Sequence, residues 1–118
     1  LRRLLAEFEH SDERRTLRQL LTGNFRQINH YKCKKNSLLG NHYHKETFEI
    51  FIITKGEIGV TWRRYPDGTY VNTEYKDGDV FIVDPFILHN IRCVTDCEFL
   101  TILTKKFDPA NPDLHKES

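Results

Sequence analysis

The sequence predicts an all-β protein: short antiparallel strands, short loops and little helix, closed into a sandwich or barrel. Three observations predict it. Short segments alternate apolar and polar residues, as Ile58, Val60 and Trp62 do with their polar neighbours. Turn formers separate these segments at regular intervals: Thr22-Gly23-Asn24, Gly56, Tyr65-Pro66-Asp67-Gly68, Lys76-Asp77-Gly78 and Asp84-Pro85. The length, 118 residues, supports one core and not two, so residues 1–118 read as a single domain.

Leu1 to Phe8 is ambiguous, because Leu1, Leu4, Leu5 and Phe8 also fit a helical spacing. An edge strand over Leu4–Phe8 is preferred, since Thr16–Leu21 can return antiparallel to it across the polar turn at His10–Arg14. Residues 1–24 thus form N-terminal strands or an arm, whose leucines need cover from a partner subunit. Residues 25–105 form the barrel. Phe25 to Lys32 alternates, with Phe25, Gln27, Asn29 and Tyr31 on one side and Arg26, Ile28, His30 and Lys32 on the other. Glu57–Arg63 turns at Pro66 and Gly68 and pairs with Thr69–Tyr75. Val80–Val83 ends at Asp84-Pro85, and His89–Val94 with Cys97–Thr104 reads as a last hairpin about Thr95-Asp96. Residues 106–118, with two prolines and many charges, read as a peripheral flap or frayed end.

Composition excludes several classes. The formal net charge is +1 and the signs are mixed, so no nucleic-acid stripe or polybasic membrane patch exists. No apolar run approaches the roughly 20 residues a membrane helix needs, and no signal-peptide pattern opens the chain. Three cysteines argue against a disulfide framework and suit a reducing cytoplasm. Cys93 and Cys97 flank a short loop and read as buried thiols, with Cys33 structural. The first residue is Leu and Met is lacking, as expected of a domain cut from a larger protein. His10 and His115, in polar terminal stretches, read as solvated.

The chemistry concentrates between Gly40 and Gly56. His42 and His44 are two apart, a spacing that points both rings to one face of a strand. Glu49 has the opposite parity, but Lys45-Glu46-Thr47 supplies a turn, after which Glu49 opens a second strand and returns to the same side. His89 follows Gly78, an apolar run and Pro85. Three imidazoles and one carboxylate facing one cavity make a divalent transition-metal site, suited to Zn, Ni, Fe, Mn or Co. The alternative is a metal-free pocket of mutually hydrogen-bonded groups. A buried carboxylate among histidines is costly without a balancing cation, which favours the metal.

This constellation resembles the cupin superfamily. Its first motif is a glycine, His-x-His, a Glu and a later Gly, matched by Gly40, His42, His44, Glu49 and Gly56. Its second is a Gly, an apolar strand, a Pro turn and a His, matched by Gly78, Pro85 and His89. The resemblance implies a jelly-roll barrel of two antiparallel sheets. The runs Phe25-Arg-Gln-Ile-Asn-His and Leu38-Leu-Gly-Asn-His-Tyr-His narrow it to the sugar-nucleotide branch. That branch includes the dTDP-4-dehydrorhamnose 3,5-epimerases and the cupin domain of capsular-polysaccharide reductase/epimerase proteins. The resemblance implies that Gln27 and Asn29 line the substrate cavity and that His42 is a catalytic base, with a homodimer; Asn41, His30, Tyr31 and Lys32 are further candidates for substrate contact. Two positions depart from the pattern. Leu39 stands where an Arg usually holds the substrate, and Phe86 replaces a glycine, which is expected to narrow the cavity mouth.

Two function classes follow. One is an epimerase or isomerase acting on a nucleotide-linked keto-sugar in cell-surface polysaccharide biosynthesis, which needs a base and a stabilised enolate oxygen. If His42 binds the metal, the base must be another group, with His30, Tyr31, Tyr43 and a metal-bound water the candidates. An Fe(II) dioxygenase is a variant of this class, since the same ligands hold that metal. The other is a small-ligand binding module without catalysis, a reading that Leu39 and Phe86 favour.

Overall fold

The segments that alternate in sequence pair into two antiparallel sheets whose inner faces share one core. The computed structural model describes residues 1–117, and among these are eleven strands and no helix. They are β1 (Arg2–Arg3), β2 (Phe8–Ser11), β3 (Thr16–Gln19), β4 (Gln27–Cys33), β5 (Leu38–His42), β6 (Glu49–Lys55), β7 (Glu57–Arg64), β8 (Val71–Lys76), β9 (Val80–Val83), β10 (Ile87–Cys93) and β11 (Cys97–Leu103). One sheet runs β1-β9-β6-β11-β4, the other β5-β10-β7-β8, and β2-β3 forms a separate ribbon. This is the sandwich-like barrel that the spacing of short strands predicts, with the two antiparallel sheets of the jelly roll that the cupin resemblance implies. No helix is long and apolar enough to cross a membrane.

The main core draws on both sheets: Phe51 and Ile53 from β6, Ile58 and Val60 from β7, Phe81 from β9, Ile91 from β10 and Phe99 from β11. Phe81 lies between Phe51 and Tyr75, with ring centroids 4.7 and 4.0 Å away. β6 and β9 are apolar on both faces, and the reason is visible outside the barrel. Ile50, Val80 and Ile102 point outward and are covered by Leu4, Leu20, Leu21 and Phe25. The N-terminal arm therefore shields the outer face of the five-stranded sheet.

The arm departs from the expected edge strand. Leu4 leaves β1 with its N–H on the Val80 carbonyl, at 2.8 Å, rather than opening a hairpin. The hairpin lies further along, pairing Phe8 with Gln19 and Ser11 with Thr16. Its turn is set by Asp12, whose carboxylate accepts the Arg14 and Arg15 N–H groups at 2.8 and 3.1 Å. The expected last hairpin is also corrected. β10 pairs with β5 and β7, whereas β11 pairs with β4 and β6, so the loop at Thr95-Asp96 crosses between sheets. Alternation defines a strand's faces but carries no record of its neighbour. Cys93 and Cys97 are buried free thiols, and Cys97 stands opposite Cys33 across β11 and β4.

Two local irregularities aim the site. Between β5 and β10 the register jumps from His42↔His89 to Gly40↔Asn90, leaving Asn41 as the extra residue of a β-bulge. Gly40 has φ 90° and Asn41 φ 62°. A Cβ at Gly40 would lie 2.8 Å from the His89 carbonyl oxygen, so glycine is required by both conformation and space. The bulge lets Leu39 and His42, three apart, both reach the barrel interior. The second irregularity is Phe86, whose φ of 63° is the left-handed conformation that a glycine adopts without strain. Its ring stacks outside the cavity on Tyr43, with centroids 5.9 Å apart. Phe86 therefore does not narrow the mouth. Its N–H instead donates to the His44 carbonyl at 2.7 Å, tying the turn to the histidine strand.

Candidate metal centre and cavity

His42, His44, Glu49 and His89 converge, each offering one donor atom, and the four atoms lie within 4.8 Å of one another. Ligand bonds of about 2.0–2.2 Å place two donors of one ion no more than about 4.4 Å apart. Shifts of a few tenths of an ångström would therefore close this set around a divalent metal. β5 delivers His42, the turn after it His44, the first residue of β6 Glu49, and β10 His89. The turn at Lys45–Thr47 brings Glu49 to the histidine side, as its position in the sequence requires.

The outer ring nitrogens decide what the inner ones do. His44 Nδ1 donates to the Asp113 carbonyl at 2.8 Å, and His89 Nδ1 to the Ile87 carbonyl at 2.9 Å. The His42 ring is hydrogen-bonded to the Gly40 backbone. A carbonyl only accepts, so in neutral His44 and His89 the Nε2 atoms carry lone pairs. Both face one carboxylate oxygen, Glu49 Oε1, at 3.3 and 3.9 Å. Acceptors facing one another in a buried site require a proton or a metal between them. The donor set and its outer hydrogen bonds thus fit a metal.

The pKa directions express the same demand. Burial opposes charge on His44, but Glu49 and the Asp113 carbonyl overcome it and raise the group. Burial, then the neighbouring His89 and His44, lowers His42 to about 4. Burial likewise lowers His89, against the pull of the Ile87 carbonyl and Glu49. Burial thus disfavours charge on His42 and His89, whereas Glu49 and the Asp113 carbonyl favour it on His44.

The segment read as a frayed tail is part of this centre. Burial would raise the Asp113 carboxyl, yet it accepts the N–H groups of Lys45, Glu46 and Thr47 and the Thr47 hydroxyl, all at 2.8–2.9 Å. These bonds hold it far below the usual carboxylate range. Asp113 thereby fixes the turn between His44 and Glu49 while its carbonyl orients His44. His115, expected to be solvated, pairs with the Tyr43 backbone and places its Nε2 2.9 Å from Asp113 Oδ1. Nothing in the periodicity of residues 106–118 signals this, because the anchoring runs mainly through one residue, Asp113, to partners 66 to 69 residues away.

His42, His44 and Glu49 of the cluster line a cavity of about 440 Å³, and His89 lines a smaller pocket that shares His42 and Glu49 with it. Gln27, Asn29 and Tyr31 line the larger cavity, as the alternation of β4 predicts. Gln27 Nε2 donates to Asn29 Oδ1 at 3.0 Å, and Tyr31 stacks on Phe99 at 4.9 Å. Burial raises the Tyr31 phenol, as does the Glu49 charge. Three expected site residues lie elsewhere. His30 is on the outer face of β4, its Nε2 3.6 Å from Glu98 Oε1. Tyr43, between two inward histidines, points the other way and stacks on Tyr65 at 4.3 Å. Asn41 is the exposed residue of the bulge. Leu39 sits in the apolar inner wall and offers no charge. Lys105 and Lys106, which no motif marked, line the mouth.

Comparison with known proteins then gives a family. The model of the polysaccharide biosynthesis C-terminal domain matches residues 10–115. No curated protein matches the chain in sequence. Among solved structures, the capsular polysaccharide assembling protein CapF of Staphylococcus aureus is 23% identical, with TM-score 0.71 over 92% of this chain and 33% of that one. The chain thus spans about a third of that protein's length. The sugar 3,4-ketoisomerase QdtA of Thermoanaerobacterium thermosaccharolyticum, in complex with TDP, is 16% identical, with TM-score 0.77 over 97% of this chain and 86% of that one. A dTDP-4-dehydrorhamnose 3,5-epimerase of Sulfolobus tokodaii is 20% identical, with TM-score 0.73 over 87% and 70%. At these identities the likeness is one of fold.

The ligand geometry can be tested from its support and from its protons. Asp113→Ala keeps the carbonyl on His44 but removes the carboxylate, and should weaken metal binding about 10–100-fold in competition with a chromophoric chelator. Wild-type affinity in that variant would show that Asp113 does not position the ligands. In the metal-free protein, His42 lies near 4 against an ordinary 6.5. Its contribution to stability is therefore present above pH 6.5 and lost as pH falls toward 4. His44, shifted upward, acts in the opposite sense, so the readout is a comparison. The fall in Tm across that window should be shallower in His42→Gln than in wild type, and equal slopes would refute the assignment.

Proposed function

Because this chain belongs to the polysaccharide biosynthesis C-terminal domain family, a family of cupin fold, we propose that it is an epimerase or isomerase acting on a nucleotide-linked keto-sugar. The observation that carries this reading is the cavity itself. It has room for a sugar and part of its nucleotide, and its floor carries a buried three-histidine, one-carboxylate cluster beside a tyrosine. The fold neighbours named as a ketoisomerase and an epimerase of nucleotide sugars support it.

The reaction class is removal of a proton from carbon next to a carbonyl and its return to the other face or to a neighbouring carbon. His44, Glu49 and His89, all buried, would hold a divalent metal and leave His42 free to act as the base. When bound, the metal supplies Lewis-acid polarisation of the carbonyl. His42 is less buried than the other three and lines the cavity, so it also meets substrate. Held neutral at ordinary pH and left uncoordinated, it can accept the proton. Tyr31, whose phenol keeps its proton, stands in the same cavity as the donor to the developing oxyanion. His30 and Tyr43 are removed from the list of bases because they face away from the cavity.

A binding module without catalysis is the second reading, and the apolar Leu39 wall favours it. We also propose a homodimer. Leu5 is 83% exposed on the N-terminal arm and Ile28 65% exposed on the outer face of the edge strand β4, and a second copy would cover them.

Incubation with TDP-4-keto-6-deoxyglucose in deuterium oxide tests the chemistry. Incorporation of deuterium beside the carbonyl is expected, and should fall at least about 100-fold in His42→Asn. Tight binding without exchange would replace the enzyme by the binding module. Sedimentation equilibrium should return twice the monomer mass, falling toward one in an Ile28→Glu, Leu5→Glu variant. A monomeric wild type at tens of micromolar would exclude the dimer.

A further inference from the structure

We infer that Lys105 and Lys106 form an anion clamp at the cavity mouth that holds the diphosphate of the substrate, in place of the cation that Leu39 lacks. The inference rests on the nucleotide-linked substrate proposed above and assigns where its charge is met. Among the described residues lining the cavity, these two lysines are the only permanent cations. The metal cluster occupies the floor, so a sugar bound there directs its phosphates toward the mouth.

The backbone gives the pair a fixed seat. β11 ends at Leu103, and Thr104 is pinned at once: its N–H donates to the Phe48 carbonyl at 3.2 Å, and its hydroxyl accepts the Phe48 N–H at 2.9 Å. Directly after the two lysines, the Phe107 N–H donates to Gln27 Oε1 at 2.9 Å. The lysine step therefore lies between two anchors, one on each side of the mouth. Gln27 is itself a cavity residue, so the seat is continuous with the substrate wall.

Charge separates the two roles. Lys105 Nζ lies 2.5 Å from Oε2 of Glu46, in the turn that follows His44. Both groups are solvent-exposed, so the pair is weak and its replacement by a doubly charged phosphate oxygen set costs little. Lys106 is in no ion pair among the described residues. The Asp113 and Asp108 carboxylates also act on Lys105 through their charge, but the Asp113 oxygens spend their hydrogen bonds on four donors at the Lys45–Thr47 turn and on His115, so neither forms a direct ion pair with it. Lysines act as mobile point charges rather than as a planar fork, which suits a diphosphate that enters and leaves with each substrate.

Calorimetric titration of the metal-free protein tests this, with thymidine diphosphate, uridine diphosphate and inorganic pyrophosphate as probes. Removing the metal ensures that phosphate does not bind through the histidine cluster. Deleting one charge-assisted hydrogen bond should weaken diphosphate binding about tenfold. Lys105→Ala with Lys106→Ala should therefore bind roughly a hundredfold more weakly, and Lys106→Glu more weakly than Lys106→Ala. Glu46→Gln, which releases Lys105, should tighten binding several-fold. The Tm of each variant should stay at the wild-type value, since both lysines are exposed. Equal diphosphate binding by wild type and the double variant would overturn the clamp and leave the keto-sugar reading intact. Binding of none of the three probes would overturn the clamp together with the nucleotide-linked substrate. Lysine-dependent binding in a protein that shows no deuterium exchange would support the clamp while removing the enzyme.

Discussion

The rest of the site depends on one carboxylate oxygen, Glu49 Oε1, faced by the lone pairs of two imidazoles. Backbone carbonyls of Asp113 and Ile87 claim the other nitrogen of each ring, and so leave no choice about which atom turns inward. In a buried setting this arrangement is repulsive until a cation enters. The protein holds the strain because each ring is fixed from outside by a main-chain group that cannot rotate away. An extra proton relieves it at His44; a divalent metal relieves it at all the donors together.

What positions those atoms is spread along the chain. The β5 bulge sends both Leu39 and His42 inward, β10 carries His89 opposite it, and the turn to β6 reverses the parity of Glu49. That turn has little internal structure of its own. Its N–H groups are satisfied by Asp113, which lies 64 residues after Glu49 and belongs to no strand. The C-terminal segment is secured elsewhere too, through the Tyr43–His115 bridge and the Arg63–Glu117 ion pair. The segment and the histidine–carboxylate cluster are thus one structural unit, and residues 103–114 supply part of the cavity wall.

The N-terminal arm has a different relation to the barrel. It covers an outer sheet face that β6 and β9 make apolar, and it leaves its own leucines partly unpaired. A long apolar run such as that of β6 arises when a strand is buried on both sides. Here the second side is buried by the arm rather than by the barrel.

Alternation and turn chemistry made the strands legible, because side chains on a strand repeat every two residues and glycine and proline mark where they stop. The spacing of His42, His44, Glu49 and His89 made the ligand set legible for the same reason. The β4 alternation placed Gln27, Asn29 and Tyr31 in the cavity and, read one residue over, put His30 outside it. The order of residues is enough to say which types can meet, and on which face of which strand. It does not say that β10 and β11 join different sheets, that Asn41 drops out through a bulge, or that Asp113, Lys105 and Lys106 line the cavity; the folded chain decides these. Those outcomes rest on pairings between segments far apart in sequence, and a local periodicity contains no information about a distant partner.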